Sequence, residues 1–208
     1  MLDELLSLRH FQPAFYTGSP SRHYLPLFYD AVATLQPRLI VTLGFGDGQA
    51  HLTFCQALRD TAPAGRSVAF LRSTDDLVTK ARSYAEEFFG EVTEFRDGVT
   101  SESAAEFGRG SVDLLLIDDV DSGAEIRREL SAWKGRLSPE AVVFVHGIEL
   151  ERADNPRSVF RRWSASRNRA EFAKGLGLGI ERCARLGLLR PRYPQPKSLG
   201  KFCAVTRG

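Results

Sequence analysis

No stretch of this chain approaches the ~20 uninterrupted apolar residues that a bilayer-spanning helix needs. The opening Met1-Leu-Asp-Glu-Leu-Leu has no cationic start, so it lacks the form of a secretory signal. Cysteine is scarce: Cys55, Cys183 and Cys203 make no Cys-x-x-Cys pair and have no histidine at metal-ligand spacing. A disulfide scaffold and a zinc module are thereby excluded, and a cytoplasmic protein with reduced thiols is expected. Internal repeats and low-complexity tracts are also missing. At 208 residues, 43% hydrophobic and 26% charged, the chain suits one domain over 1–208. Within it, 1–36 reads as N-terminal covering helices, 37–150 as the core and 151–208 as basic C-terminal elements.

Charge is unevenly spread. Residues 1–151 carry 14 Lys+Arg against 23 Asp+Glu, whereas residues 152–208 carry 14 against 3. Clustered cations raise the local potential, so the basic tail reads as a docking surface for an anionic ligand, a nucleic acid or a protein partner. Packing of basic C-terminal elements beside acidic N-terminal ones explains the asymmetry equally well.

The segment from Arg22 to Leu35 places Leu25, Phe28, Tyr29, Val32 and Leu35 on one helical face, and Pro37 ends it. Leu39–Leu43 is a short β-branched apolar run, Gly44-Phe-Gly-Asp-Gly48 closes it, and Leu52, Cys55 and Leu58 then recur at helical spacing. A second strand at Ser67–Leu71 leads to a helix with Ser73 and Asp76 at capping-box spacing. Val92–Phe95 is a weak third strand and Ser101–Phe107 a short helix. Val112–Ile117 is a buried strand. Ile126, Leu130, Trp133 and Leu137 mark a helix that Ser138-Pro139 terminates, and Ala141–Val145 is another buried strand. Asn155-Pro156 starts a helix running to about Arg169, and Gly175–Gly179 and Phe202–Val205 read as last strands. Strands alternating with helices predict a doubly wound, mostly parallel α/β sheet of Rossmann-like form with helices on both faces.

A glycine turn between the first strand and its helix lets backbone approach a ligand, with helix N–H groups adding donors. The dinucleotide fingerprint needs G-x-G-x-x-G, and here the third glycine comes one position early, which disfavours nicotinamide. Four segments in one order, residues 39–48, Phe95–Phe107, Ser111–Asp118 and Trp133–His146, resemble a class I S-adenosylmethionine-dependent methyltransferase of the kind that accompanies glycan or secondary-metabolite biosynthesis. The resemblance implies S-adenosylmethionine as cofactor and methylation, chiefly at oxygen, of a small-molecule or glycan acceptor. Carried over, it places Gly44, Phe45, Gly46, Asp47 and Gly48 around the cofactor's methionine part, Asp97 near adenine and Asp118 facing the reaction centre.

The departures from that pattern are specific. Thr42 stands where the family has a carboxylate for the cofactor's ammonium. Leu71-Arg72-Ser73 stands where it has an acid for the ribose hydroxyls, so Arg72 is expected to line the site and favour an anionic ligand, with Asp75 or Asp76 as substitutes or simple caps. Asp119 and Asp121 follow Asp118 where glycine and histidine are usual, and Gly147 follows His146 in place of aspartate. Asp118 and His146 are the candidate catalytic pair for orientation or proton removal. A metal at Asp118, Asp119 and Asp121 is disfavoured because Gly147 removes a partner carboxylate. The arginines 157, 161, 162, 167 and 169 form either a phosphate-recognising face or a solvated one. Two alternatives stay open, a catalytically silent binding or assembly subunit and a nucleic-acid methyltransferase, as does self-association as a homodimer.

Overall fold

The computed structural model describes residues 11–182 and the pair Ser198–Leu199. Seven strands carry the sheet: β1 (Leu39–Leu43), β2 (Arg66–Leu71), β3 (Thr93–Asp97), β4 (Val112–Ile117), β5 (Leu137–His146), β6 (Arg169–Phe172) and β7 (Leu178–Glu181). The two-residue β8 (Ser198–Leu199) pairs antiparallel with β6. Their order is β3-β2-β1-β4-β5-β7-β6-β8. β1 to β5 run parallel, as the apolar β-branched runs predict, while β7 is inserted antiparallel between β5 and β6. The dinucleotide-binding order 3-2-1-4-5-6 lacks that inserted strand.

Helices α1 (Leu25–Leu35), α2 (Gln49–Thr61), α3 (Asp76–Phe89), α4 (Thr100–Ser103), α5 (Gly123–Trp133) and α6 (Pro156–Trp163) connect the strands. On one face Phe28 packs 5.3 Å from Phe54 and 5.4 Å from Phe144, joining α1 and α2 to β5. On the other, Trp133 lies 6.0 Å from Phe70 and 4.9 Å from Phe107, with its indole N–H donating to the Thr100 carbonyl at 3.1 Å. Fully burying a Phe side chain is worth about 1.5–3 kcal/mol, and both faces hold fully buried rings, so the sheet is covered on both sides.

Local chemistry sets the element ends. Gln36 takes the left-handed conformation (φ 48°) and its N–H donates to the Val32 carbonyl, closing α1 before Pro37. Asp75, not Ser73, caps α3, accepting from the Val78 N–H at 2.9 Å, and Ser73 instead accepts from the Asp75 N–H at 3.1 Å. Asn155 caps α6 ahead of Pro156.

Three sequence expectations shift. Leu137 belongs to β5 and not to α5: it pairs with Val112, and the register then jumps to Leu114 opposite Val142. Pro139 falls inside that irregularity, where a missing ladder N–H is tolerated. The helix begun at Pro156 stops at Trp163, where the Ser164 hydroxyl donates back to the Phe160 carbonyl at 2.8 Å, and Arg169 opens β6. Of Gly175–Gly179 only Leu178 and Gly179 enter a strand, because Gly175 and Gly177 turn the chain at φ 58° and 81°. The strand expected at Phe202–Val205 lies outside the described residues.

Candidate active site

β1, β4 and β5 end on one edge of the sheet, where the strand order reverses and open α/β folds hold ligands. The turn leaving β1 puts Gly44 at φ 86° and Gly46 at φ 53°, values that side chains with a Cβ adopt at a cost. At Gly44 a β-carbon would run into the Asp118 carbonyl oxygen and lie 3.1 Å from the Asp119 β-carbon. At Gly46 it would meet nothing nearer than Asp118 Oδ2 at 3.8 Å, so this glycine leaves a cradle open beside the carboxylate.

Asp118 directly follows β4 and His146 ends β5, and both are buried. Asp118 Oδ1 accepts from the Asp119 N–H at 2.8 Å and lies 2.7 Å from His146 Nδ1. A carboxylate at that distance holds the proton on Nδ1, so Nδ1–H donates and the Nε2 lone pair is presented at the opposite side of the ring. Nε2 is buried with no hydrogen-bond partner, on a residue that lines a cavity of about 430 Å³. Burial alone would lower the imidazole's proton affinity, but the Asp118 charge and hydrogen bond outweigh it and hold His146 above its ordinary value. Desolvation likewise pushes Asp118 up, and His146, the Asp119 N–H and Arg72 together bring it below the usual carboxylate value.

Gly46, Asp47, Ser73, Asp75, Asp118, Asp119, Asp121, His146, Leu150 and Arg152 are among the residues around this cavity, with Ser19 to Ser21 from the N-terminal segment on its rim. Asp47 is fixed by the Thr17 hydroxyl and by the Gln49 N–H at 3.2 Å, and the Ser19 hydroxyl donates to Gln49 Oε1 at 3.3 Å. The N-terminal segment thus closes over the glycine turn. A second cavity of about 460 Å³, bordered by Glu149, Glu151, Asn155 and Arg157, shares Leu150 and Arg152 with the first.

Several residues singled out from sequence lie elsewhere. Thr42 is buried and turned toward α2, where its hydroxyl is 3.0 Å from His51 Nδ1. Phe45 packs into the core 5.3 Å from Phe95. Asp97 is exposed at the end of β3 and does not border the cavity. Arg72 does not border it either, because the guanidinium pairs with Glu125 and lies 3.6 Å from Glu129, while Nη1 donates to the Asp119 carbonyl at 3.1 Å. Four of the five tail arginines singled out from sequence pair with buried carboxylates: Arg161 grips the fully buried Glu171 through two bonds at 2.7 and 2.8 Å, with Arg157 at 3.4 Å and Arg169 at 3.6 Å. Arg167 pairs with buried Glu181 and stacks over Trp163 at 5.1 Å. Among the described residues no group of three or more His, Cys, Asp or Glu side chains could hold a metal ion, and no helix is long and apolar enough to cross a membrane.

His51 is the residue that sequence reading passed over. Fully buried in α2, it bridges Thr42 and Thr93, the latter 2.8 Å from Nε2, and burial drives its pKa down to about 3. It is therefore a neutral strut beneath the glycine turn. Its spacing to Cys55 and Leu58, i, i+4 and i+7, marks it as core-facing.

A family model described as a methyltransferase domain matches residues 41–148, from within β1 to just past His146. The chain belongs to that family. The chain shares its fold with solved structures at low sequence identity. It is similar to a methyltransferase from Geobacter sulfurreducens at TM-score 0.60 and 23% identity, covering 77% of this chain and 78% of that one. The O-methyltransferase TomG of Streptomyces achromogenes, solved in complex with SAM, aligns at TM-score 0.59 and 17% identity over 81% and 82% of the two chains. An O-methyltransferase from Bacillus cereus, solved with SAH, aligns at 0.61 and 16% over 81% and 83%. The Sinorhizobium fredii protein y4gI is 27% identical over an alignment of 191 residues that covers 85% of this chain and only 20% of that relative's length.

Proposed function

We propose that this domain transfers a methyl group from S-adenosylmethionine to a hydroxyl oxygen of a small-molecule or glycan acceptor. The observation that carries the reading is the buried Asp118–His146 pair, whose histidine lines the cavity beside the glycine turn and leaves its buried Nε2 without a partner. The cofactor fits the residues present. Asp47, Asp75, Asp118, Asp119 and Asp121 around the cavity outnumber Arg152 and His146, a balance that favours a ligand carrying a sulfonium and an ammonium. Ser73 and Asp75, at the end of β2, supply hydroxyl and carboxylate oxygens for a diol: Asp75 accepts from Val78 N–H and the Ser73 hydroxyl and still has lone pairs to spare. The O-methyltransferases of S. achromogenes and B. cereus, solved with SAM and SAH, support the same choice.

When bound, S-adenosylmethionine supplies a methyl group activated by its sulfonium, so the protein's task is alignment and proton removal. His146 Nε2 takes the acceptor hydroxyl's proton, and Asp118 holds the ring in the tautomer that leaves Nε2 free and stabilises the imidazolium that forms. The second cavity, which shares Leu150 and Arg152 with the first, is the space nearest at hand for the rest of the acceptor. Isothermal titration with S-adenosylmethionine and S-adenosylhomocysteine tests the cofactor, and the absence of heat for both sinks the reading. With a hydroxylated acceptor panel, His146→Ala is expected to lower turnover by about 10²–10⁴-fold while leaving S-adenosylhomocysteine affinity intact; unchanged turnover removes His146 as the base.

A further inference from the structure

Asp119 sits two residues beyond β4 in the left-handed region, φ 52°, a conformation that costs any residue with a β-carbon. Two bonds hold it there: its N–H donates to Asp118 Oδ1 at 2.8 Å, and its carbonyl accepts from Arg72 Nη1 at 3.1 Å. Its β-carbon lies 3.1 Å from where a β-carbon on Gly44 would stand, so the absence of a side chain on Gly44 is what gives Asp119 its place against the turn. The Asp119 carboxylate borders the main cavity and has no hydrogen bond or ion pair among the described residues, whereas Asp47, Asp75 and Asp118 are each engaged by donors. A separate sign that the same cavity receives a ligand is the buried His146 Nε2, which has no partner.

We propose that Asp119 binds a cationic group lying against the glycine turn, and that on the cofactor reading above this group is the ammonium of the methionine portion of S-adenosylmethionine. No carboxylate on β1 competes for that task, since position 42 is a threonine spent on His51. Desolvation and then the neighbouring Asp118 charge push the Asp119 carboxyl above its ordinary value, and a bound cation relieves the second of these. Arg72 acts as a positioning residue, anchored on Glu125 and Glu129 and fixing the Asp119 backbone through its carbonyl.

The test compares S-adenosylhomocysteine, which carries the ammonium, with 5′-methylthioadenosine, which lacks the amino-acid portion, by titration calorimetry on the full chain. Asp119→Asn and Asp119→Gly are both needed, because glycine accepts φ 52° without strain and separates loss of charge from loss of fold. Both variants are expected to bind S-adenosylhomocysteine about 10- to 100-fold more weakly, the range for a hydrogen bond to a charged group, and methylthioadenosine as the wild type does. Unchanged S-adenosylhomocysteine affinity overturns the assignment, and so does an equal loss for both nucleosides, which marks a general distortion. If the wild type binds methylthioadenosine but not S-adenosylhomocysteine, the assignment falls while an adenosine site stands. If it binds neither, the cofactor reading itself fails and takes the assignment with it.

Discussion

Asp118 and His146 come from strands 28 residues apart, and their pairing makes each the main reason the other's charge survives burial. His146, raised above its unfolded value of 6.5, adds stability that is complete below pH 6.5 and lost as pH climbs through its folded value. Asp118, depressed below 3.8, adds stability that is present above pH 3.8 and lost as pH falls through its folded value. The pair is thus strongest in mildly acidic solution, while the chemistry needs Nε2 without a proton. The pH profile of kcat/KM is therefore expected to rise along a limb centred above 6.5. Asp118→Asn removes the charge that raises His146, so the limb is expected to move to lower pH while the maximal rate falls. A limb that stays in place would mean another group titrates. Position Thr42 carries a different lesson, because a β-strand residue alternates sides and its neighbours in space decide its role. From sequence Thr42 reads as a cofactor contact that has lost its charge, and in the fold it is the hydroxyl partner of a buried histidine.

At the scale of elements, α2 is tied to β1 and β3 through His51, and that tie supports the turn between β1 and α2. Unfolded, this histidine titrates near 6.5, and folded it titrates near 3, so the unfolded chain binds an extra proton throughout that interval. Stability is then lost as pH falls below 6.5, at about 1.4 kcal/mol per pH unit from this group. Denaturant unfolding between pH 6.5 and 5 is expected to show a steeper loss for wild type than for His51→Asn, and parallel slopes would discount the buried neutral histidine. Most elements were legible because their residues announce them: β1 as an apolar β-branched run, β4 as an apolar run, α6 through Asn155-Pro156, while α3 was expected from a capping box at Ser73 and is capped two residues later by Asp75. Two of the misreadings share one cause, that long-range pairing overrides local signals. Pro139 reads as a helix stop and is instead absorbed at a register shift opposite β4, and the polar Ser164-to-Asn168 stretch gives no local hint that Arg169 opens a strand paired with β7. For the site, strand ends predicted the meeting of Asp118 and His146. Where Arg72 would turn could not be read, since its partners Glu125 and Glu129 sit on α5, more than 50 residues later.

At the scale of the whole molecule, the charge asymmetry along the chain is partly an internal matter. Three of the tail's arginines, Arg157, Arg161 and Arg169, gather on Glu171, which is fully buried, and Arg167 and Arg182 on Glu181. β6 and β7 thus carry carboxylates into the sheet's edge region, and α6, its following loop and the strand ends at Arg169 and Arg182 supply the cations that make their burial tolerable. Such a cluster stabilises little relative to an apolar packing of the same volume, yet breaking it is costly because the remaining charges stay desolvated. Glu171→Gln keeps the shape and removes the charge, leaving the Arg161 and Arg169 guanidiniums against a neutral amide while Arg157 retains its pairing with Glu149. It is expected to destabilise the fold by about 3–5 kcal/mol, read as a melting temperature lower by roughly 10 °C in a domain of this size. Arg162→Ala is the matched control: Arg162 is exposed and enters none of these pairs, so its loss should stay within about 0.5 kcal/mol. If Glu171→Gln melts with the wild type while Arg162→Ala does not, the arginines are a surface feature rather than counter-ions, and the basic segment regains its standing as a binding face.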